Sequence, residues 1–453
     1  MKAKPYAAPM TSGPIWQRII AFAIPLFLGN LFQQLYNTAD SLIVGNFLGS
    51  EALAAVSSSG NLIFLLVGFF NGMSVGAGVV IGRFYGAGDL ANVRRSIHTT
   101  IAFGLVASIP LTIVGVTLAP KILILMGTPE EVLPNSVAYF QVYFGGSVSF
   151  VMYNIFVGIL QAMGDSRHPL IYLIISSITN VVLDLFFVAV LGFGVGSAAF
   201  ATVVSQLLSA VLCLVKLMWE PAEIRVSLRE IRFDLPMLRQ IVSNGLPAGI
   251  QNSIISLANV VVQSNINAFG AAAMAGCGTY SKIEGFGFLP ITCFALSMTT
   301  FTSQNLGAQK YDRVKKGAVF GCITSIVLAE LVGIAIYILI PTLASFFNRT
   351  PEVIAYGTAQ ARVVTLFYFL LAFSHCSAGI LRGAGRSFVP MLVMLVCWCV
   401  IRVSYITAAV RIFPVIDVIF WAYPLTWSLS TVVFLFYLFK SNWLKRFERA
   451  QRA

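Results

Sequence analysis

Charge is what this chain has least of. Asp, Glu, Lys and Arg make up only 10% of its 453 residues, and 58% are hydrophobic. An ordinary soluble protein of this length needs far more charge to cover its surface, so that class is excluded. Histidine is also scarce, with His98, His168 and His375 scattered along the chain. No HExxH, GxSxG or phosphate-cradling P-loop occurs, which argues against an intramembrane enzyme and an ATP-driven pump. The cysteines (Cys213, Cys277, Cys293, Cys322, Cys376, Cys397 and Cys399) are odd in number and all lie in apolar stretches. They form no disulfide framework and read as small packing residues. Cys397 and Cys399 sit two apart on a helix and point to different sides, a poor metal pair. No cofactor is called for.

Long apolar runs are abundant. Mean hydropathy is +0.86. About twelve runs of membrane-spanning length recur: 15–40, 52–82, 95–119, 135–161, 169–191, 196–218, 238–266, 273–303, 315–340, 354–381, 388–410 and 416–439. Lipid satisfies no backbone hydrogen bond, and these runs lack strict alternation, so they are expected to be helices. The fold class is therefore an all-α polytopic membrane protein. The first run is too long, and too polar on one face, for a cleavable signal.

The net charge of +12 is distributed by topology and not as a nucleic-acid patch. Lys2, Lys4 and Arg18 open the first run; Arg83, Arg94 and Arg95 follow the second; Arg167 follows the fourth. Lys216, Arg225, Arg229, Arg232 and Arg239 follow the sixth, Lys310, Arg313, Lys315 and Lys316 the eighth, and Arg382 and Arg386 the tenth. Lys440, Lys445, Arg446, Arg449 and Arg452 close the chain. The opposite loops hold only Lys121, Arg349, Arg362 and Arg411. Alternate loops are basic, so both termini are expected in the cytoplasm.

The chain repeats itself. "RFYGAGDLANVRR" from Arg83 matches "QNLGAQKYDRVKK" from Gln304, and "GILQAMGDSRHP" from Gly158 matches "GILRGAGRSFVP" from Gly379. Gly49 and Gly270, Gly86 and Gly307, Gly158 and Gly379, and Pro169 and Pro390 all stand 221 apart; Pro25 and Pro247 stand 222 apart. One offset held over most of both halves signals duplication. Each copy has six helices, an even number, so the copies insert in the same orientation as a parallel repeat. The expected domains are an N-terminal six-helix lobe over 1–218, a cytoplasmic connector over 219–237, and a C-terminal six-helix lobe over 238–453. Two pseudo-symmetric lobes suit an alternating-access transporter, although channels also contain repeats.

The stretch "LGNLFQQLYNTADSLIVG", from Leu28, carries Asn30, Gln33, Gln34, Tyr36, Asn37 and Asp40 in a membrane-grade helix. Asn30, Gln33 or Gln34, Asn37 and Asp40 recur at helical spacing, a polar face about 15 Å long. Such a face points to the bundle interior or to water. Asn30 alone is equally explained by hydrogen bonding between helices. Pro25 upstream is the expected hinge. In the fifth run, Ser176 or Ser177, Asn180 and Asp184 share a face. Carboxylates among amides and hydroxyls could hold Na⁺, shuttle a proton, or pair with a distant arginine.

At offset 221 the second copy has Val261, Ile401, Tyr405 and Tyr423 where the first has Asp40, Asn180, Asp184 and Thr202. It keeps an uncharged stripe of Asn252, Ser256, Asn259 and Gln263, expected to share a central cleft with the first stripe. Its own charges, Lys282, Glu284, Glu330 and Arg402, are expected to form structural ion pairs ahead of ligand contacts.

"IPLFLGNLFQQLYNTADSLIVGNFLG", "SSITNVVLDLFFV" and "TYSKIEGFGFLPITCFALSMTTFTSQNLGAQ" together resemble the multidrug and toxic compound extrusion family over nearly the whole chain. The resemblance is closest to the branch whose cation site lies in the N-terminal lobe. It implies twelve helices in a V of two lobes in the plasma (inner) membrane. It implies export of cationic or amphipathic compounds in exchange for H⁺ or Na⁺. The expected partners are these compounds and membrane lipid, without nucleic acid, and the protein is expected to be a monomer. It places the cation, including any Na⁺, at Asp40, Asn180, Asp184 and Thr202, and matches Tyr36, Tyr139 and Asn154 to polar cavity positions. Glu284 stands where relatives carry an acid in the second lobe. With Asn30, Gln34, Asn37 and Asn259 these residues make the expected substrate cavity. The alternatives are a lipid-linked saccharide flippase, which should show extra helices and a basic cavity, and a channel, which needs no counter-ion gradient.

Overall fold

The computed structural model describes residues 9–125, 128–441, 443 and 444. Lys2, Lys4, Lys445, Arg446, Arg449 and Arg452 of the basic loops lie outside the described residues. The described chain is helical throughout, without strands. Its first copy contains α1 (Ile15–Leu48), α2 (Ser50–Ala87), α3 (Leu90–Thr117), α4 (Ala119–Leu125), α5 (Leu133–Gly145), α6 (Ser147–Ala162), α7 (Arg167–Asp184) and α8 (Val195–Met218). The second contains α9 (Leu235–Asn267), α10 (Ala271–Gly307), α11 (Tyr311–Phe347), α12 (Pro351–Val364), α13 (Tyr368–Gly383), α14 (Phe388–Met394), α15 (Arg402–Ile412) and α16 (Asp417–Lys440). π-Helical segments continue α7 over Leu185–Val190 and join α14 to α15 over Leu395–Ile401.

Among the described residues, eleven spans are long and apolar enough to cross a membrane. A twelfth follows if α5 and α6, bent by 51° where they meet, form one span. The protein is therefore a multi-pass membrane protein, and the expected count of about twelve holds.

Helix α11 shows how such a helix is divided between lipid and protein. Gly317, Gly321, Ser325, Ala329 and Gly333 recur every four residues and are buried. Small side chains there let neighbouring helices approach closely. The opposite stripe of Val319, Ile323, Val327, Leu331, Ile334 and Ile338 is exposed. That stripe is stable only against an apolar solvent.

The chain groups into two compact units. One holds residues up to Phe27, Gly86–Gly88 and Ile250 onward; the other holds Leu28–Tyr85 and Asp89–Gly249. The first helix of each copy is divided between them. Helix α1 changes unit after Phe27 and α9 after Gly249, each two residues beyond its proline, Pro25 or Pro247. In the first unit Ile19, Phe22, Ala23 and Leu26 pack with Phe294, Met298 and Phe301 of α10. The segment before α1 is held there too. Asn305 Nδ2 donates to the Met10 carbonyl at 3.1 Å, Lys310 Nζ to that of Thr11 at 2.8 Å, and Arg313 Nη1 to that of Gly13 at 2.7 Å.

The duplication is visible in the backbone. Left-handed residues pair at the repeat offset: Gly49 (φ 87°) with Gly270 (φ 101°), Gly88 (φ 73°) with Gln309 (φ 59°), and Gly164 (φ 90°) with Gly385 (φ 73°). Gln309 is the one non-glycine residue with positive φ among the described residues. The second copy keeps this turn without the residue that best tolerates it.

The connector is fastened to α3 within the second unit. Arg94 Nε and Nη2 donate to the two oxygens of Glu230 at 2.8 and 2.7 Å, and Nη1 donates to the Ala222 carbonyl at 2.7 Å. The Ser227 amide donates to His98 Nε2 at 3.0 Å, and the Asp234 amide to Thr99 Oγ1 at 3.2 Å. The guanidinium of Arg94 holds the Glu230 carboxyl below the usual carboxylate range.

Two outcomes follow. Gln309→Gly should raise thermal stability in detergent, by about 1 kcal/mol at most, whereas Gly88→Ala should lower it. Arg94→Ala should speed hydrogen exchange at the Ser227 and Asp234 amides. Because the carboxyl of Glu230 is held low, the wild-type contact persists through the ordinary carboxylate range and is lost only as pH falls below it.

Candidate functional site

Four pairs of residues, each spaced i, i+4 on its own helix, build the candidate site inside the second unit. They are Tyr36 and Asp40 on α1, Tyr139 and Tyr143 on α5, Asn180 and Asp184 on α7, and Thr202 and Gln206 on α8. Residues four apart lie one turn above each other on a single face, so each helix offers two groups to one place. Helices α7 and α8 are held in register by hydroxyls. Ser176 Oγ donates to the Ser205 carbonyl at 2.7 Å, and Ser209 Oγ to that of Tyr172 at 3.3 Å. This brings Asn180 Nδ2 to 3.5 Å from Thr202 Oγ1.

The carboxyl groups of Asp40 and Asp184 lie within hydrogen-bonding reach of each other. Asp184 is 0% exposed and Asp40 8%. Both oxygens of Asp184, Asp40 Oδ1 and Asn180 Oδ1 are buried with no hydrogen-bond donor. Two carboxylates this close and out of water need a proton or a cation between them. The free oxygens of two carboxyls and an amide, beside the Thr202 hydroxyl that donates to the Ala198 carbonyl at 3.1 Å, fit a hard monovalent cation or a proton, and none of these ligand atoms is soft. Groups of three or more His, Cys, Asp or Glu that could hold a metal do not occur among the described residues.

Tyr36 and Tyr139 lie in the field of both aspartates, and Gln206 approaches the hydroxyls of Tyr36 and Tyr143. A narrow polar crevice of about 10 Å³ opens beside Asn180, lined by Gln33, Tyr36, Tyr153, Ser177, Ser205 and Gln206 among others. That is space for about one water.

Asp40, Asn180, Asp184, Thr202, Tyr36 and Tyr139 are thus brought together. Asn30 and Gln34 are half-buried and Asn37 exposed further along α1, and none of the three lines the crevice. Asn154 turns its amide back onto its own helix, donating to the Phe150 carbonyl at 2.7 Å. Asn259 is exposed on α9, and it belongs with Glu284 to the other unit. Pro25 is buried in α1, which continues through it as one helix. Sequence reasoning missed Tyr143, Tyr153 and Gln206. The signal for two of them was present: Tyr143 and Gln206 each follow an expected site residue by four positions.

The expected ion pairs of the second copy do not form among the described residues. Glu284 Oε1 accepts from the Tyr280 hydroxyl at 3.1 Å and the Tyr368 hydroxyl at 3.5 Å. Glu330 accepts the Phe369 amide at 3.2 Å, a donor freed where the 3₁₀ turn Thr365–Phe367 interrupts the helix. Lys282 lies 5.8 Å from the Phe347 ring centroid. Arg402 Nε and Nη2 donate to Thr426 Oγ1 at 3.1 and 2.9 Å, and its guanidinium lies 4.5 Å from the Tyr423 ring centroid. Hydroxyls, ring faces and a broken helix supply the partners that opposite charges were expected to supply.

Comparison with known proteins agrees with this architecture. The MatE family model matches twice, over residues 25–186 and 247–406, so its two matches begin at Pro25 and Pro247. The probable multidrug resistance protein YoeA of Bacillus subtilis is 28% identical over 84% of this chain and 84% of its own. The probable multidrug resistance protein NorM of Thermotoga maritima is 26% identical over 95% of this chain and 94% of its own. The fold is that of a solved multidrug resistance MATE family transporter in its outward-facing conformation, with a TM-score of 0.89, 22% identity and complete coverage of both chains. These relatives are transporters and not enzymes. With both halves matched and the duplicated helices in place, the chain belongs to the MATE family of membrane transporters.

Proposed function

We propose that this transporter is a secondary antiporter. It exports cationic or amphipathic compounds in exchange for H⁺ or Na⁺, and Asp40 and Asp184, with Asn180 and Thr202, form the coupling site. The observation that carries this reading is the pair of buried carboxyls side by side, with oxygens that no donor of the protein satisfies. Transport coupling requires a group whose charge state changes during the cycle, and this pair is suited to it. Binding of a proton or Na⁺ removes the repulsion between Asp40 and Asp184 and favours one arrangement of α1 over another. Pro25 deletes a backbone donor two residues before α1 passes from one unit to the other, a suitable place for the helix to change course. A bend there reshapes the substrate site, so cation and drug oppose each other through one element. Tyr36 and Tyr139 offer ring faces to a lipophilic cation beside the carboxylates. The names of the relatives support drug-like substrates. The basic loops support placement in the plasma (inner) membrane with the connector and both termini in the cytoplasm.

Asp40→Asn and Asp184→Asn should each abolish coupled efflux while membrane expression is kept, because asparagine is nearly isosteric and needs no counter-charge. Glu330→Gln should matter far less, since Glu330 only caps a helix junction. Normal pumping by both aspartate variants, with Glu284→Gln alone inactive, would move the coupling site to the other unit. Efflux of a fluorescent cation from proteoliposomes should stop when the H⁺ and Na⁺ gradients are both collapsed. Unchanged flux would mean a channel.

A further inference from the structure

Two thiols meet inside the second copy. Cys322 on α11 and Cys376 on α13 stand 54 residues apart, and they share a weak S–H···S hydrogen bond with the sulfurs 3.6 Å from each other. Neither belongs to the candidate coupling site, which lies in the other unit. Both are free thiols; Cys376 is 0% exposed and Cys322 is half-buried. Gly321, beside Cys322, is on the buried small-residue stripe of α11. That stripe brings the neighbouring helices close, so a side chain as short as cysteine reaches across.

At the repeat offset the first copy has Ile101 and Ile155, both buried. Two branched hydrocarbons serve packing there. In the second copy both places hold sulfur, and the sulfurs touch. A disulfide is about 2.0 Å long, so the pair has only about 1.5 Å to close. Cys322 lies in the first half of α11, which starts beside Lys310, and Cys376 in the second half of α13, which ends at Arg382 and Gly383. The pair is thus nearer the basic loops, the side expected to face cytoplasmic thiol reductants.

The surroundings connect this pair to α1. Cys376 shares one apolar cluster with Ile19, Phe22 and Leu26 of α1 and with Phe294 and Met298 of α10, and Cys322 packs against that cluster. These α1 residues form the root of the helix before and just past Pro25.

We infer that Cys322 and Cys376 are an oxidation site, closed by a membrane-permeant hydroperoxide into a disulfide that staples α11 to α13 and slows export. The sulfur of Cys322, the more exposed of the two, attacks the distal oxygen of the hydroperoxide. The O–O bond breaks, the thiol proton passes to the leaving oxygen, and an alcohol departs from a sulfenic acid. The sulfur of Cys376 then attacks that of Cys322. The S–S bond forms, the S–O bond breaks, and the hydroxyl leaves with the Cys376 proton as water. The two thiols have given two electrons to the peroxide, and a dithiol reductant restores them by exchange. The effect on export rests on the proposed bend of α1, because a cross-linked α11 and α13 resist repacking of the cluster that holds its root. Formation of the disulfide does not depend on that reading.

The test treats purified full-length protein in detergent with tert-butyl hydroperoxide. Mass spectrometry of the non-reduced digest should find the peptides of Cys322 and Cys376 joined, two hydrogens lighter than the free thiols. Absence of that link, or higher oxides of either sulfur in its place, overturns the site. In proteoliposomes the same treatment should slow efflux of a fluorescent cation several-fold, and dithiothreitol should restore it. Cys322→Ser and Cys376→Ser should pump like wild type before treatment and keep pumping after it. Equal slowing of wild type and both variants, or a linked wild type that pumps unchanged, overturns the staple. If wild type forms the link yet pumps no cation even when reduced, the export reading fails and the oxidation site stands.

Discussion

Everything polar inside this molecule must be satisfied by the molecule itself, because lipid offers neither hydrogen bonds nor screening. The backbone meets this condition by being helical throughout the described chain. Side chains meet it one at a time. Serines and threonines return their hydroxyls to their own helix, as Thr426 does to the Ala422 carbonyl at 2.8 Å, or bind a neighbouring helix, as Ser176 does. Glu330 takes the amide exposed at a break in the helix. After these needs are met, buried atoms without a partner remain at several places among the described residues, the oxygens of Asp40, Asn180 and Asp184 among them.

The two copies of the repeat show what duplication conserves and what it releases. Turn geometry is retained to the point that Gln309 adopts the left-handed conformation of its glycine partner Gly88. The helices must still meet at the same angles, and a turn that changed hand would misdirect two spans at once. Side chains facing the interior of each unit carry no such constraint. Val261 stands where the first copy has Asp40 and Tyr423 where it has Thr202, so helices of the same order carry carboxyls in one copy and a stacked guanidinium in the other.

The helices α1 and α9 are each divided between two packing environments. Each begins in one compact unit and ends in the other, and each changes membership just past a proline. Asp40 lies on the part of α1 that belongs with α5, α7 and α8, while Ile19, Phe22 and Leu26 are packed against α10. The proposed bend of α1 near Pro25 would therefore act on both packing environments. The glycines of α2 and α9 suit the same need for close approach. Gly72 meets the Gly249 backbone and Gly76 that of Gly245, with no room for a Cβ at either crossing.

The spans, the repeat and the paired polar faces were legible in the sequence because hydrophobic length and helical period are local properties. The proximity of Asp40 and Asp184 was legible only through resemblance: periodicity tells which residues share a face, not which faces meet. Gln206 and Tyr143 were hidden for that reason, although each extends a visible face by one turn. The ion pairs expected of Glu284, Glu330, Lys282 and Arg402 failed for a related reason. Charge shows what a residue needs, but only packing decides who answers, and here tyrosine hydroxyls, a freed amide, a phenylalanine ring and Thr426 were nearer than any opposite charge. The sequence by itself determined that the chain crosses the membrane as duplicated helices with acids in the first copy. The tertiary structure decided which of those acids touch, and that the second copy holds its arginine against tyrosine, because both depend on helix crossings that no one-dimensional pattern contains.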